Sequence, residues 1–436
     1  MMNTVERTLA ALRALPGADA WKLVELRAER NERYYIGRVP ETARAVSKTD
    51  CDVSVYVDSG EGESRTRGEC AVKIADGASD AEIAAALSRA VSTAAGMRNP
   101  WFPLAEPGSA APVPPPNPFE GVDPAVSLEG LRAALYRHDG EGGASINSLE
   151  LFLSRTATRV VNSSGVDVSW TAWNGHCEFV VNAGAGRDQV ELWTERDFAV
   201  PDHEALAALA RARLAAARDR LAAVPTPDCE GLPLVLAGEL AGEIFAYYKA
   251  NLSAQAVYER RAAFALGEDT GGPGDGDRLE LEALGSMPHA ALGAPYDADG
   301  FPLGSARCVV DGRVERLVAP LKYARYLGLE PTGSLRLFRL AGGRETAAAL
   351  RSRDHVEVVD FSDFFVDPTG GDFGGEIRLA YLVRDGRRVA VTGGSVTGTV
   401  PANRGRIRLS AETEAKTLGV SPVLCLLPAV TVSKAT

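Results

Sequence analysis

The chain has 436 residues, more than one ordinary hydrophobic core accommodates, so we expect two or three domains. Its net charge of −11 argues against a general nucleic-acid-binding protein, which needs a basic face. No apolar run reaches the roughly 18 residues of a membrane-spanning helix, so we expect no membrane association.

The cysteines and the N-terminus bear on the cellular compartment. Six cysteines are spread along the chain, and no two of them form a C-x-x-C pair. In a chain of this size, that spacing favours reduced, buried thiols over a disulfide framework. The first ten residues predict the start of an amphipathic helix and lack the apolar core of a signal peptide. Together these features predict a cytoplasmic protein.

The first predicted elements mix helices and strands. Apolar spacing predicts a helix over residues 4–15, and residues 21–73 are typical of strands and turns. A helix follows over residues 80–95, where Ser79 as N-cap and Glu82 three positions later predict a capping box. Residues 107–118 contain six prolines, which exclude a helix and predict a stiff interdomain linker.

The second half begins with a β-rich stretch between two helices. We expect a short helix near residues 128–137, strands over 145–197 and a long helix over 202–223. The apolar stripe of the long helix consists of Leu206, Leu209, Ala210, Leu214, Ala217 and Leu221. From residue 232 onward strands dominate, with helices predicted near residues 238–250, 321–327 and 344–352.

These elements predict an α+β protein, because helices and strands alternate without the regular βαβ order of a doubly wound fold. The predicted units are an N-terminal α+β domain (1–106), the proline-rich linker (107–118), a β-rich middle domain with flanking helices (119–225) and a C-terminal domain (226–436).

The residues of greatest chemical interest lie early in the C-terminal unit. Residues 234–237 are typical of a buried strand, which runs into a helix beginning Gly238-Glu-Leu-Ala-Gly-Glu243. Glu239 and Glu243 are four residues apart and share a helix face. They form either a site in which two carboxylates bind a metal or act as acid and base, or a pair with no catalytic role. In the second case Glu239 forms a hydrogen bond with the backbone. Buried together, they raise the pKa of at least one of the two carboxyls unless a cation lies between them. Carboxylates alone suit magnesium or calcium better than zinc.

The same hexapeptide resembles a degenerate form of the H-E-x-x-x-H zinc motif of the TldD/PmbA family. Glu239 matches the motif glutamate, whereas Gly238 and Glu243 stand at the two histidine positions. Blocks similar to those of the family follow in the same order, at residues 251–264, 284–303, 321–333 and 365–375. The resemblance covers nearly the whole chain and is closest to the PmbA (TldE)-like members that lack the zinc motif.

The resemblance implies a multidomain fold with mixed and antiparallel sheets and a β-rich C-terminal domain. Metal-bearing members add a cysteine ligand in a glycine-rich context, whereas Cys425 lies in an apolar stretch and is expected in the core. The implied chain has no catalytic residue and no cofactor, and zinc is expected only in a partner subunit. Gly242, which matches a motif glycine, and His289, in a loop that by resemblance approaches the motif helix, are the peptide-binding candidates.

The function implied by the resemblance is that of a non-catalytic subunit in a TldD-type metallopeptidase complex acting on unfolded or leader-bearing peptides. The implied partners are a metal-bearing TldD-type subunit and an extended peptide, with a homodimer expected for the isolated chain. The family's older description as a modulator of DNA gyrase does not imply DNA binding here. Two alternatives stay open: a self-sufficient metal-dependent peptidase using Glu239 and Glu243, and a pure peptide- or protein-binding modulator.

Overall fold

The computed structural model describes residues 2–108, 111, 117–288, 290–417 and 419–435. Most of the proline-rich segment 107–118 lies outside the described residues, and so does His289. The linker and the role of this histidine therefore stay predictions.

The described helices are α1 (Thr4–Arg13), α2 (Asp80–Ala95), α3 (Pro124–Leu135), α4 (His203–Leu221), α5 (Gly238–Glu243), α6 (Ala246–Asn251), α7 (Ala254–Tyr258), α8 (Leu321–Leu327), α9 (Ala347–Arg351) and α10 (Val400–Asn403). Most begin and end close to the predicted bounds, whereas the short helices α7 and α10 were not predicted. The predicted capping box of α2 is confirmed: the Ser79 hydroxyl accepts from the Glu82 amide, and the Glu82 carboxylate accepts from the Ser79 amide. In α4 the predicted stripe is buried, apart from the partly buried Leu209 and from its end, where Leu221 is 42% exposed because the helix terminates there.

The helix predicted near residues 238–250 is instead two short helices, α5 and α6, separated by a turn at Ile244 and Phe245. The Phe245 amide donates to the Gly242 carbonyl at 3.2 Å. The two residues are three apart, as in a 3₁₀ turn, and not four apart as in an α-helix. Glycine weakens a helix by about 1 kcal/mol relative to alanine, which explains the break beside Gly242. Both turn side chains are buried in the core.

A seven-stranded antiparallel sheet spans the first half of the chain, in the order β4-β3-β2-β1-β5-β6-β7. Its strands are β1 (Ala20–Ile36), β2 (Val39–Ser59), β3 (Thr66–Ile74), β4 (Asn99–Pro100), β5 (Ala144–Asn162), β6 (Asp167–Ala183) and β7 (Val190–Phe198). Strands β1 and β5 pair from Lys22 opposite Asn162 to Ile36 opposite Ser148. The predicted units 1–106 and 119–225 therefore share one sheet, although α1 and α2 cover one core and α3 and α4 cover another.

Two mixed sheets form the C-terminal half. Their strands are β8 (Val224–Pro225), β9 (Leu234–Ala237), β10 (Leu281–Leu284), β11 (Ser305–Val310), β12 (Arg313–Val314), β13 (Leu337–Leu340), β14 (His355–Val366), β15 (Asp372–Arg384), β16 (Arg387–Thr392), β17 (Ser395–Thr399), β18 (Arg408–Leu409), β19 (Thr413–Lys416), β20 (Gly419–Pro422), β21 (Leu424–Leu427) and β22 (Val430–Ser433). One sheet has the order β12-β11-β10-β13-β20-β19. The other has the order β18-β21-β9-β14-β15-β16-β8, with β17 paired to β15 and β22 paired to β17.

The two C-terminal sheets and the helices α5 and α6 share the largest core. Leu236 and Val356 enter it from one sheet, Leu281 and Phe338 from the other, and Phe245 from the turn between the helices. Strands β13 and β20 run parallel, as do β9 and β14, whereas most other neighbours are antiparallel. The predicted α+β class with mixed and antiparallel sheets is thus confirmed. Along the described residues, no helix has the length and apolar character needed to cross a bilayer.

Candidate functional site

The motif helix α5 stands at the carboxyl end of a central strand. Strand β9 pairs with β14 on one side and β21 on the other, and Leu234, Val235 and Leu236 are fully buried. Gly238 then adopts a φ of +59°, in the left-handed region that glycine reaches without strain. This turn carries the chain from the sheet into α5 and fixes where Glu239 and Glu243 lie.

Glu239 is engaged by an arginine from another sheet. Its Oε1 accepts a hydrogen bond from Arg196 Nη1 at 2.5 Å, and Arg196 belongs to β7, the last strand of the seven-stranded sheet. Arg196 Nη2 also donates to the Ala415 carbonyl at 3.4 Å. The motif glutamate is therefore held by a guanidinium and not by a backbone group, which was one of the alternatives for this residue.

Glu243 lies at the mouth of the site and is exposed. Partial burial of its carboxyl, with the charges of Glu239 and Glu195 nearby, raises the pKa of Glu243 from 4.5 to about 7. The direction is the one that two neighbouring carboxylates produce. Both protonation states of Glu243 are consequently populated near neutral pH.

Replacing Glu243 with glutamine should stabilise the protein above neutral pH. The folded chain holds this proton up to about pH 7, whereas the unfolded chain loses it near pH 4.5, so stability falls as pH rises between these values. After solvent screening of an exposed group, we expect Glu243→Gln to gain about 1 kcal/mol at pH 8 and much less at pH 5. Thermal unfolding at both pH values measures this, with Glu239→Gln as a control that loses the ion pair with Arg196 and should gain less. A lower midpoint for Glu243→Gln at pH 8 would contradict the assignment.

Two lysines face the glutamates. The side chain of Lys416, at the end of β19, is only 5% exposed, and its Nζ donates to the carbonyls of Gly238 and, at 3.1 Å, Pro422. Lys249 in α6 has its Nζ 5.2 Å from the centroid of the Phe338 ring. Burial lowers the pKa of both ammonium groups, and that of Lys249 to about 8. The site therefore combines two carboxylates with two desolvated cations.

These four charged residues line a cavity of about 110 Å³ between α5, α6 and the six-stranded sheet, here called the helix cavity. The rest of its wall is mainly apolar and includes Phe245, Leu281, Phe338, Leu340 and Val420. Gly242 also lines it, and a Cβ at this position would lie 3.4 Å from Lys416 Cδ. The small residue at position 242 keeps α5 close to the lysine.

A groove of about 320 Å³ adjoins the helix cavity and is here called the edge groove. It lies between β7 and β19, each the last strand of its sheet, and α4 closes one side. Arg196, Asp197 and Phe198 line it from β7, and Ala415 and Lys416 from β19. Lys416 lines both, so the groove and the cavity adjoin at this residue. Ala291, two residues beyond His289, also reaches the edge groove.

The side chains around the motif helix do not fit a zinc ion. A protein zinc site needs three or four nitrogen, sulfur or oxygen ligands. In the described part of the chain, no three histidine, cysteine, aspartate or glutamate residues converge as a metal-binding group. Two lysine ammonium groups also share the cavity with the two carboxylates and repel a metal cation.

Cys425 and the described histidines do not line the helix cavity or the edge groove. Cys425 pairs with Leu236 across β21 and β9 and is fully buried, and burial raises the pKa of its thiol to about 12. It therefore stays protonated near neutral pH, as expected for a core residue. Neither the helix cavity nor the edge groove is lined by any histidine that the structure describes.

Sequence reasoning missed three residues of the site: Arg196, Lys249 and Lys416. A signal for the lysines was present. Only seven of the 47 basic residues are lysines, and Lys249 is the single charge in the apolar run from Ile244 to Leu252. For Arg196, nothing local marks its role, because the pairing of strands far apart in sequence brings it to α5.

The sequence comparisons bear on the C-terminal half. Residues 230–436 match the sequence model of the PmbA/TldA metallopeptidase C-terminal domain. No curated protein matches the chain with significant similarity.

The fold is similar to those of several crystal structures. TldE from Thermococcus kodakarensis is 16% identical, with a TM-score of 0.78 over 98% of this chain and 100% of that one. A candidate modulator of a DNA gyrase from Thermotoga maritima is 15% identical, with a TM-score of 0.80 over 99% and 100%. A candidate modulator of DNA gyrase from Bacteroides thetaiotaomicron is 15% identical, with a TM-score of 0.77 over 99% and 97%.

Proposed function

We propose that the chain is a member of the TldD/PmbA family and acts as the non-catalytic, TldE-like subunit of a TldD-type metallopeptidase complex. Its partner in this proposal is a TldD-type subunit that carries the intact H-E-x-x-x-H motif and the zinc. The complex processes or degrades unfolded or leader-bearing peptides in the cytoplasm, and this chain completes the binding surface. The isolated chain forms a homodimer through the surface that meets the partner.

The observation that carries the proposal is the set of charges at the motif helix. Metal-dependent peptide hydrolysis needs an activated water, whose pKa the metal lowers to about 7. Here Arg196 donates a hydrogen bond to Glu239, and the Lys416 ammonium donates one to the Gly238 carbonyl. Glu243 can accept a proton near neutral pH, but these residues supply no metal-activated water for it to act on. The hydrolytic step is therefore assigned to the partner.

The edge groove supports a role in holding extended peptides. The Ala415 carbonyl accepts from Arg196, so it points away from β20 and into the groove. In an antiparallel strand the amide and carbonyl of one residue point to the same side. The Ala415 amide therefore also faces the groove, where an added strand can pair with it. Backbone pairing of this kind tolerates many sequences, which suits a subunit that handles unfolded peptides.

Peptide binding through this edge is tested with two substitutions at one position. Ala415→Pro removes the outward amide without breaking a bond to β20, and we expect it to weaken binding of a labelled unfolded peptide about tenfold. Ala415→Val keeps the amide and favours a strand, so it should bind like the unchanged chain. Fluorescence polarisation with each purified chain gives the comparison. If the proline variant binds the peptide as tightly as the unchanged chain, β19 is not part of the peptide-binding site.

A further inference from the structure

The Lys249 ammonium is a partly buried charge that forms no salt bridge among the described residues. The charge of Glu239 acts on it without direct contact, and its Nζ lies 5.2 Å from the centroid of the Phe338 ring. Removing a cation from water is costly unless an opposite charge or hydrogen-bond acceptors replace the water. The lowered pKa of Lys249 reflects this cost. A bound anion would offset it.

The other charged side chains of the helix cavity already have hydrogen-bond partners or are exposed at its entrance. Glu239 is paired with Arg196, and Lys416 donates to two backbone carbonyls. Glu243 is exposed at the entrance. Within the described wall, Lys249 is thus the ammonium that remains free to bind an anion from outside the chain.

The size and the walls of the cavity limit what can accompany that anion. Its volume of about 110 Å³ is well below the roughly 300–1,000 Å³ of sites for drug-sized ligands, so it has room for about one residue. Phe245, Leu281, Phe338 and Leu340 surround this space with apolar surface. The fitting group is therefore a single carboxylate on a small apolar body.

The edge groove indicates where such a group comes from. Lys416 lines both spaces, so the end of an extended chain lying against β19 is close to the helix cavity. The one anion that every unmodified peptide backbone carries is its terminal carboxylate. A chain that ends in the cavity brings this carboxylate and one side chain together.

We propose that the helix cavity binds the C-terminal residue of an extended peptide, with its carboxylate paired to Lys249 and its apolar side chain against Phe245, Leu281 and Phe338. This inference rests on the proposed peptide-binding function and names the peptide end that the site selects. Lys249 is a binding residue here and takes part in no bond-breaking step.

The test compares matched peptides on the full-length chain. An N-terminally labelled unfolded peptide ending in leucine is prepared as free acid and as C-terminal amide. We expect the free acid to bind at least tenfold more tightly than the amide to the unchanged chain. Lys249→Met should bind both forms equally, at the level of the amide, while Lys249→Arg should keep a preference for the acid. Thermal unfolding verifies that each variant folds.

Each alternative has its own outcome. Equal binding of acid and amide by the unchanged chain would overturn the inference while leaving peptide binding by the edge groove intact. Failure of both peptides to bind would overturn the inference together with the proposed function. An amide peptide that carries an internal aspartate and binds as tightly as the free acid would overturn selection of the peptide end. N-acetyl-leucine that binds as tightly as the free-acid peptide would assign the cavity to small apolar acids instead.

Discussion

The chain with both Gly238→His and Glu243→His is expected to bind zinc weakly and to cut peptides no faster than the unchanged chain. Gly238 has a φ of +59°, and a residue with a Cβ pays about 1–2 kcal/mol in this conformation. The Lys416 ammonium already contacts the Gly238 carbonyl and repels an incoming cation. Two histidines also leave the ligand set incomplete, because the buried Cys425 thiol stays protonated.

Elemental analysis and a peptide-cleavage assay of this double variant measure the expectation. Adding Lys416→Met removes the opposing charge, so the triple variant should retain more zinc than the double variant. One zinc per chain and chelator-sensitive cleavage by the double variant would show that only the two histidines separate this chain from a peptidase.

Asp360→Ala is expected to destabilise the protein by about 3–5 kcal/mol. Asp360 in β14 pairs with Arg213 of α4, and the two side chains are only 11% and 12% exposed. The positive charges of Arg220 and Arg378 also act on Asp360, and Arg213 further donates to the Trp193 carbonyl of β7 at 3.1 Å. Removing the carboxylate leaves buried guanidinium charge uncompensated where the seven-stranded sheet, α4 and the C-terminal half meet.

An exposed ion pair provides the control. Glu204 pairs with Arg137 on the surface, with side chains 82% and 42% exposed, and Glu204→Ala should cost less than about 1 kcal/mol. Denaturant unfolding of the two variants gives the comparison. Similar small losses for both would mean that the Asp360 pair does not hold α4 against the C-terminal half.

The elements that the sequence predicted well are those with local signals. Ser79 and Glu82 mark the start of α2, and apolar spacing marks α4 and the step from β9 into α5. The same reasoning located Glu239 and Glu243 on one short helix and predicted the raised pKa that two close carboxylates produce.

The features that escaped prediction depend on contacts between distant residues. Strand β1 pairs with β5 more than 100 residues away, so the shared sheet could not be read from local patterns. Arg196 reaches Glu239 because β7 and β19 meet at an edge, and Lys416 reaches Gly238 through the hairpin of β19 and β20. The break between α5 and α6 combines the low helix propensity of Gly242, which is a local signal, with the tertiary burial of Ile244 and Phe245, which is not.

The most direct measurement is cleavage of an unfolded peptide by this chain alone, by a TldD-type partner alone and by their mixture, each with and without a chelator. We expect no cleavage by this chain alone. We expect faster cleavage by the mixture than by the partner alone, and we expect the chelator to abolish it. Robust cleavage by this chain alone that persists in the chelator would contradict the non-catalytic assignment, and a mixture no faster than the partner would contradict the role of this chain as its subunit.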